Sequence, residues 1–279
     1  MKRLAIALGI AVCAGCTAPA AVSTPQAQSR LADAEARAAA LVRSGDLPGA
    51  ARQYDEALRI AASIENVDAI AVNAVNLSIV QQWLGRDAEA REALSHVLDD
   101  PRRGFSERRR LQAELRRAIL ELAAHNTDAA ASWAQRAERR CAELACDYAA
   151  TILNLQAEVA LAASRPADAA RLAQSAAERA RARGDRSETA NALRALGRAR
   201  RAQGEPSAAI PVLEQALALD RELADPRKIL ADLTELSLAS SAAGDRQAAR
   251  DYYERALAVS RAVQDARGIA EMEAQLRRP

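Results

Sequence analysis

The chain has 279 residues, with 39 lysines and arginines against 37 aspartates and glutamates, and only 3% of its residues are aromatic. Alanine supplies about a quarter of the chain, far above average usage. Strands favour β-branched and aromatic side chains and alanine is the strongest helix former, so this composition disfavours a β-sheet protein and favours closely packed helices. So few large side chains and only two histidines also make an enzyme pocket hard to build.

The first residues have the pattern of a secretory signal. Lys2 and Arg3 precede an apolar run over residues 4–14. As a helix this run would extend about 16 Å, roughly half of the hydrocarbon core of a bilayer, so it is too short to span a membrane.

The signal-like segment ends in Ala14-Gly15-Cys16, which resembles the lipobox of bacterial lipoproteins. The resemblance implies that residues 1–15 are cleaved off as a signal peptide and that the thiol of Cys16 carries lipid, including palmitate. Cys13 stands where the lipobox usually has leucine, and an ordinary cleaved signal is the alternative. Thr17 in place of aspartate implies sorting to the outer membrane, with the protein facing the periplasm.

Residues 16–28 are small, polar and interrupted by two prolines. Such a segment cannot form a core and predicts a lipid-anchored flexible tether. The superhelical domain is then predicted over residues 29–279. Because the signal removes Lys2 and Arg3, the mature protein is predicted to have no net charge.

One short motif recurs six times along the rest of the chain. A turn residue (Gly, Asn or Ser) is followed by Asp or Pro, which opens a helix. The copies begin at Gly45, Gly85, Asn126, Ser164, Gly204 and Gly244, which are 40, 41, 38, 40 and 40 residues apart. This regularity indicates an internal repeat of about 40 residues.

Apolar residues recur at intervals of three and four on both sides of each motif, as with Leu193 and Leu196 before Gly204 and Leu213 and Leu217 after it. This spacing is typical of amphipathic helices. The sequence therefore predicts an all-α fold, an α-solenoid of six helical hairpins closed by a C-terminal capping helix near residues 265–276.

The repeat resembles the tetratricopeptide repeat (TPR), in the longer variety of kinesin light chains and bacterial regulators. The small residue of the first helix matches Ala38, Ser78 and Gly197. The Ala-x3-aromatic-x2-Ala pattern of the second helix matches at Ala50/Tyr54/Ala57 and Ala249/Tyr253/Ala256, with leucine or alanine in the aromatic position of other copies. The resemblance implies a superhelix whose concave surface binds proteins or peptides.

Cys141 and Cys146 remain after the predicted cleavage. On one continuous helix their α-carbons would be about 8 to 9 Å apart, too far for a disulfide. The repeat phase, however, puts a helix break near residues 144–146. An exported compartment permits oxidation, so we expect a disulfide, with two buried free thiols as the alternative. No histidine lies near enough to complete a zinc site, and no metal is expected.

A polar stripe runs along the first helix of the fifth repeat and consists of Asn191, Arg194, Arg198 and Arg201, at spacings of 3, 4 and 3 residues. In peptide-binding TPR proteins the corresponding positions hold a peptide's backbone or carboxylates. The alternative is a solvated helix face with ion pairs. The predicted peptide-binding residues are Arg116, Asn154, Glu158, Asn191, Arg194, Arg198 and Arg201. We expect them to bind an extended acidic or C-terminal peptide.

No motif of catalysis or phosphate binding is present, and His96 and His125 each lie beside a predicted helix end. We expect no catalytic residue, no cofactor and no enzyme activity. Acidic residues interleave with the arginine clusters and aromatics are scarce, so nucleic acid is not an expected partner. Trp83 and Trp133 are predicted to be packing residues.

These patterns predict a lipid-anchored interaction scaffold that helps to assemble or regulate a cell-envelope complex. The alternative is a glycan-binding auxiliary subunit or recruiter for an enzyme of peptidoglycan or polysaccharide metabolism. The scarcity of aromatic side chains, on which sugar rings stack, argues against the alternative.

Overall fold

A computed structural model describes residues 25–100 and 104–277. This part of the chain forms thirteen α-helices and no β-strand, which confirms the predicted all-α solenoid. The helices are α1 Pro25–Ser44, α2 Leu47–Ser63, α3 Val67–Trp83, α4 Asp87–Leu98, α5 Glu107–Ala123, α6 Thr127–Leu144, α7 Ala149–Ala162, α8 Pro166–Ala182, α9 Arg186–Ala202, α10 Pro206–Glu222, α11 Pro226–Ala242, α12 Arg246–Ala262 and α13 Ala266–Leu276. Consecutive pairs from α1–α2 to α11–α12 form units one to six, and α13 is the cap.

The same short turn ends one helix and begins the next at all junctions except α4–α5 and α6–α7. After α9, Gly204 takes a left-handed φ of 82°, and the Glu205 N–H donates to the Arg200 carbonyl at 2.9 Å. This six-residue closure is a Schellman motif. At five turns the residue that closes the motif also caps the next helix with its side chain, as Asp265 accepts from the Gly268 N–H at 3.1 Å. The other four are Asn66, Asp185, Asp225 and Asp245. Such turns leave little freedom in the angle between neighbouring helices.

The third copy of the motif begins one residue earlier than predicted. His125, not Asn126, has the positive φ of 60° that Gly85 and Gly204 have in their units. The turns within units are then 40, 40, 39, 40 and 40 residues apart along the chain. The adjacent Asn126 misled the sequence prediction, because asparagine and histidine are both enriched in the left-handed conformation and the sequence does not tell them apart.

The helices form two layers. Each helix packs on the next along the chain, and contacts between successive units also run between the odd-numbered helices from α3 to α11. The odd-numbered helices therefore make the inner layer and the even-numbered helices the outer one. We call the open surface of the inner layer the inner wall.

The alanine excess lies where the two layers meet. The fifth residue after each turn within a unit is an alanine that is at most 6% exposed: Ala50, Ala90, Ala130, Ala169, Ala209 and Ala249. The small residue predicted in the first helix is also buried. At Gly197 an added Cβ would stand 2.5 Å from the Leu213 side chain, so the two helices approach closely there.

The N-terminal boundary differs from the prediction. Helix α1 begins at Pro25, inside the predicted tether 16–28. Proline fits the first turn of a helix because the N–H it lacks has no partner there. The predicted signal peptide, Cys16 and residues 17–24 lie outside the described residues. Within the described ranges, no helix has the length and apolar character needed to cross a membrane.

Candidate functional site

The seven residues predicted to bind a peptide lie on three successive helices of the inner layer. Arg116 is on α5, Asn154 and Glu158 are on α7, and the other four are on α9. The structure brings them to one side of the solenoid. Their partners are polar residues on neighbouring helices, and these contacts decide which of them can reach a ligand.

Arg116 is buried between units two and three, with 7% of the residue exposed. Its guanidinium donates to the Ser78 carbonyl at 3.0 Å and to Gln82 Oε1 at 2.7 Å, both from α3. Burial lowers the pKa of Arg116 to about 10. The residue therefore joins two units and is not open to a partner.

Asn154 is likewise 7% exposed. Its Nδ2 donates to Glu188 Oε2 at 2.6 Å and to the Glu188 carbonyl at 3.2 Å, at the start of α9. Asn191 donates to Glu188 Oε1 at 3.4 Å and accepts from Arg194 at 3.3 Å. Asn154 thus joins units four and five, whereas the contacts of Asn191 lie within α9.

Arg194 lies between two aspartates that have no exposed surface. Its Nε donates to Asp232 Oδ1 at 2.6 Å, and its Nη2 binds the Asp220 carboxylate. One oxygen of each aspartate, Asp220 Oδ1 and Asp232 Oδ2, has no hydrogen-bond partner. Burial raises the pKa of Asp232 to about 7. The positive charge of Arg194 lowers this pKa, and the negative charge of Asp220 raises it further. Two buried carboxylates around one cation therefore favour retention of a proton at this site.

Arg198 and Arg201 are the more accessible cations of the stripe, with side-chain exposures of 36% and 31%. Arg198 pairs with Glu158 of α7 and, at 3.3 Å, with Glu235 of α11. Arg201 pairs with the same Glu235 at 3.0 Å. This part of the inner wall is a ladder of ion pairs across units four, five and six.

These ion pairs change which ligands the predicted arginines can attract. Three of the four predicted arginines, Arg194, Arg198 and Arg201, pair with carboxylates, which are Glu158, Asp220, Asp232 and Glu235. The wall therefore has no excess of positive charge at this place. An acidic peptide would have to displace carboxylates of the protein itself.

One repeat position of the inner layer carries isoleucine in units two and three. Ile79 and Ile119 occupy the repeat position that Glu158 and Arg198 occupy in units four and five, at spacings of 40, 39 and 40 residues. Ile119 is 39% exposed. At this position the side chains thus change from isoleucine in units two and three to a paired glutamate and arginine in units four and five.

Sequence reasoning included Glu158 but missed Asp220, Asp232 and Glu235, the other carboxylates that pair with the stripe. Asp232 and Glu235 lie 38 and 37 residues after Arg194 and Arg198, and Glu158 lies 40 residues before Arg198. Opposite charges one repeat apart are the signal that could have found them, because equivalent positions of stacked units are neighbours.

The two remaining cysteines meet at the turn between units three and four. Ala145, in the left-handed conformation at φ 48°, ends α6, and the structure joins Cys141 to Cys146 in a disulfide with α-carbons 5.0 Å apart. The turn bends the chain as the helix break in the sequence indicated. Among the described residues no group of three or more His, Cys, Asp or Glu side chains is placed to hold a metal ion.

Comparisons with known proteins agree with this architecture. Residues 148–222 match the profile of the tetratricopeptide repeat. No curated protein sequence matches the chain. The solenoid is similar to a Rap protein complexed with Competence and Sporulation Factor, with a TM-score of 0.65 and 15% identity over 90% of this chain and 70% of that one.

Two further structures are similar over most of this chain. BtubC from P. vanneervenii has a TM-score of 0.52 and 22% identity, with 86% of this chain and 92% of that chain covered. The STAND protein PH0952 from Pyrococcus horikoshii, which has a tetratricopeptide repeat sensor, has a TM-score of 0.63 and 14% identity, with 90% and 37% covered. At these identities the likeness establishes a TPR-like fold, which is an architecture suited to binding other proteins.

Proposed function

We propose that this chain is a protein-interaction scaffold that binds a protein or peptide on its inner wall. The observation that carries the proposal is the wall itself, which runs from the exposed Ile119 to the accessible pairs of Arg198 and Arg201. Extended concave surfaces of this kind are the binding surfaces of repeat solenoids. The similar Rap protein, which is complexed with another factor, supports the same use of the fold.

The predicted binding residues divide into two groups under this proposal. Glu158, Arg198 and Arg201 contact the partner, with Asn191 at their edge. Arg116, Asn154 and Arg194 hold neighbouring units together and shape the wall. The partner meets exposed Ile119 in unit three and paired charges in units four to six, so recognition of acidic groups alone is not proposed.

A photo-reactive amino acid at position 119 tests the binding surface. We expect one dominant crosslinked protein from the living cell when the probe replaces Ile119. The matched control places the probe at Gln174, which is exposed on α8 in the outer layer. Equal capture from both positions, or none from position 119, contradicts binding on the inner wall.

We further propose that lipid on Cys16 anchors the protein to the outer membrane, facing the periplasm, where it assembles or regulates a cell-envelope complex. The support is the signal-like segment and the lipobox-like Ala14-Gly15-Cys16. Cells fed labelled palmitate should label the natural protein and not the Cys16→Ser variant. Persistent labelling of that variant contradicts the anchor and leaves the scaffold proposal untouched.

A further inference from the structure

Trp83 makes a contact that crosses the solenoid. The guanidinium carbon of Arg227 lies 3.8 Å from the centroid of the Trp83 ring. The two residues are 144 positions apart, whereas the hydrogen bonds and ion pairs given above join residues no more than 40 positions apart. Trp83 was predicted to be a packing residue, yet 42% of it is exposed.

The contact joins opposite edges of distant units. Trp83 is the last residue of α3, beside the turn within unit two, and Arg227 is the second residue of α11, beside the turn that enters unit six. Units three to five connect these two points along the chain. The superhelix therefore turns far enough for its sixth unit to reach its second.

We infer that Trp83 and Arg227 form a clasp that closes the superhelix around its inner wall, so that the wall admits an extended polypeptide segment and not the surface of a folded domain. This inference rests on the proposed function. It adds to the proposed function that the partner is an extended segment and that the Trp83–Arg227 contact controls its entry to the inner wall.

The strength of the contact suits a clasp that opens. An arginine stacked on a solvent-exposed aromatic ring favours the closed over the open form only about two- to fivefold. The closed form is then favoured, but an entering segment opens it readily. Trp83 and Arg227 are both exposed, so the pair itself is not part of a buried apolar seal.

The wall enclosed by the clasp favours a segment of mixed character. Ile79 and Ile119 offer apolar surface near the clasp, and the pairs of Glu158 with Arg198 offer hydrogen-bonding groups of both charges further on. An extended chain presents side chains and backbone groups to such a wall at once.

Fluorescence of Trp83 measures the clasp directly. The chain has two tryptophans, so Trp133→Phe leaves Trp83 as the single reporter. In that background we expect Arg227→Ala to raise the acrylamide quenching constant about twofold, because stacking no longer shields the ring. The matched control is Arg179→Ala, an exposed arginine at the end of α8, which should leave quenching unchanged. Equal quenching with and without Arg227 overturns the clasp.

Small-angle scattering of the same variants tests closure of the whole superhelix. We expect a larger radius of gyration for Arg227→Ala than for the natural protein and for Arg179→Ala. A radius that does not change, despite altered quenching, shows a local contact and overturns the closure.

Sequencing of the segment crosslinked at position 119 tests the form of the partner. We expect the crosslink to fall in an unstructured terminus or linker of the captured protein. A crosslink on the surface of a folded domain overturns this inference and leaves the scaffold function standing. Failure of the scaffold function has a different signature, which is the absence of a dominant crosslink while the quenching of Trp83 still responds to Arg227→Ala.

Discussion

At the scale of single residues, the balance of charge around Arg194 has the greatest consequence for stability. Two fully buried carboxylates face one guanidinium, so full ionisation would leave a net negative charge away from water. A buried charge without a partner is costly, and retention of a proton avoids that cost. The pKa of Asp232 is raised for this reason.

We expect the free energy of unfolding to fall as pH rises from about 4 to about 7. The pKa of Asp232 is raised from 3.8 to about 7 in the folded protein, so across this interval the folded state binds a proton that the unfolded chain has lost. Asp232→Asn should remove most of this dependence and raise the free energy of unfolding at pH 8, where the natural protein must ionise the buried carboxyl. Urea titrations at pH 5 and pH 8 measure the pH dependence of the free energy of unfolding. The control is Asp251→Asn, at an exposed position of α12. A variant that keeps the natural pH dependence contradicts the assignment.

Arg194 and Arg198 should behave differently although sequence reasoning placed them in one stripe. Arg194→Ala leaves two buried carboxylates without their cation and should cost about 3 to 5 kcal/mol of stability. Arg198→Ala removes a half-exposed pair and should cost less than about 1 kcal/mol. Thermal or urea unfolding of the two variants compares them directly. Equal costs would show that Arg194 is as solvated as Arg198.

This difference marks the limit of what the sequence could predict about the wall. The spacing of Arg194, Arg198 and Arg201 correctly placed them along one helix of the inner layer. Their partners come from helices 26 to 40 residues away in sequence. Which arginine is buried depends on how closely those helices pack, and single-helix periodicity has no information on that distance.

At the scale of helices and turns, close approach of the layers depends on small residues. Gly197→Ala should cost about 1 to 3 kcal/mol, because the new Cβ would stand 2.5 Å from Leu213 and force it to move. Combining it with Leu213→Ala, which alone leaves a cavity, should cost less than the sum of the single changes. Urea unfolding of the four proteins in this cycle gives the coupling. Strict additivity would contradict contact between these positions.

The Cys141–Cys146 disulfide at the turn between units three and four should stabilise the oxidised protein. Its loop is short, and the chain-entropy account gives about 2 kcal/mol of stabilisation. The double variant Cys141→Ser/Cys146→Ser should lose that amount, and the natural protein should lose the same amount in reductant. Mass spectrometry after thiol labelling of the unfolded chain counts free cysteines, and labelling of both positions without reductant would rule out the bond.

At the scale of the whole molecule, the sequence predicted the architecture because every level agreed on it. Alanine at the fifth position after each turn, small residues such as Gly197, and Asp or Pro at helix starts all repeat with one period. Such agreement between local signals and overall fold is typical of foldable sequences. Contacts that skip several units, such as Trp83 with Arg227, depend instead on the accumulated rotation of the superhelix, which no local pattern determines.

The shared turns also limit how this molecule can change length during evolution. Because one residue closes a helix and caps the next, as Asp265 does, an extra residue there leaves either the closing bond or the cap unmade. An insertion inside a helix rotates everything beyond it by about 100° and turns the buried alanines outward. Changes of a whole unit avoid both penalties. Relatives of this chain should therefore differ in length mainly by steps of about 40 residues, counted by the number of hairpins they contain.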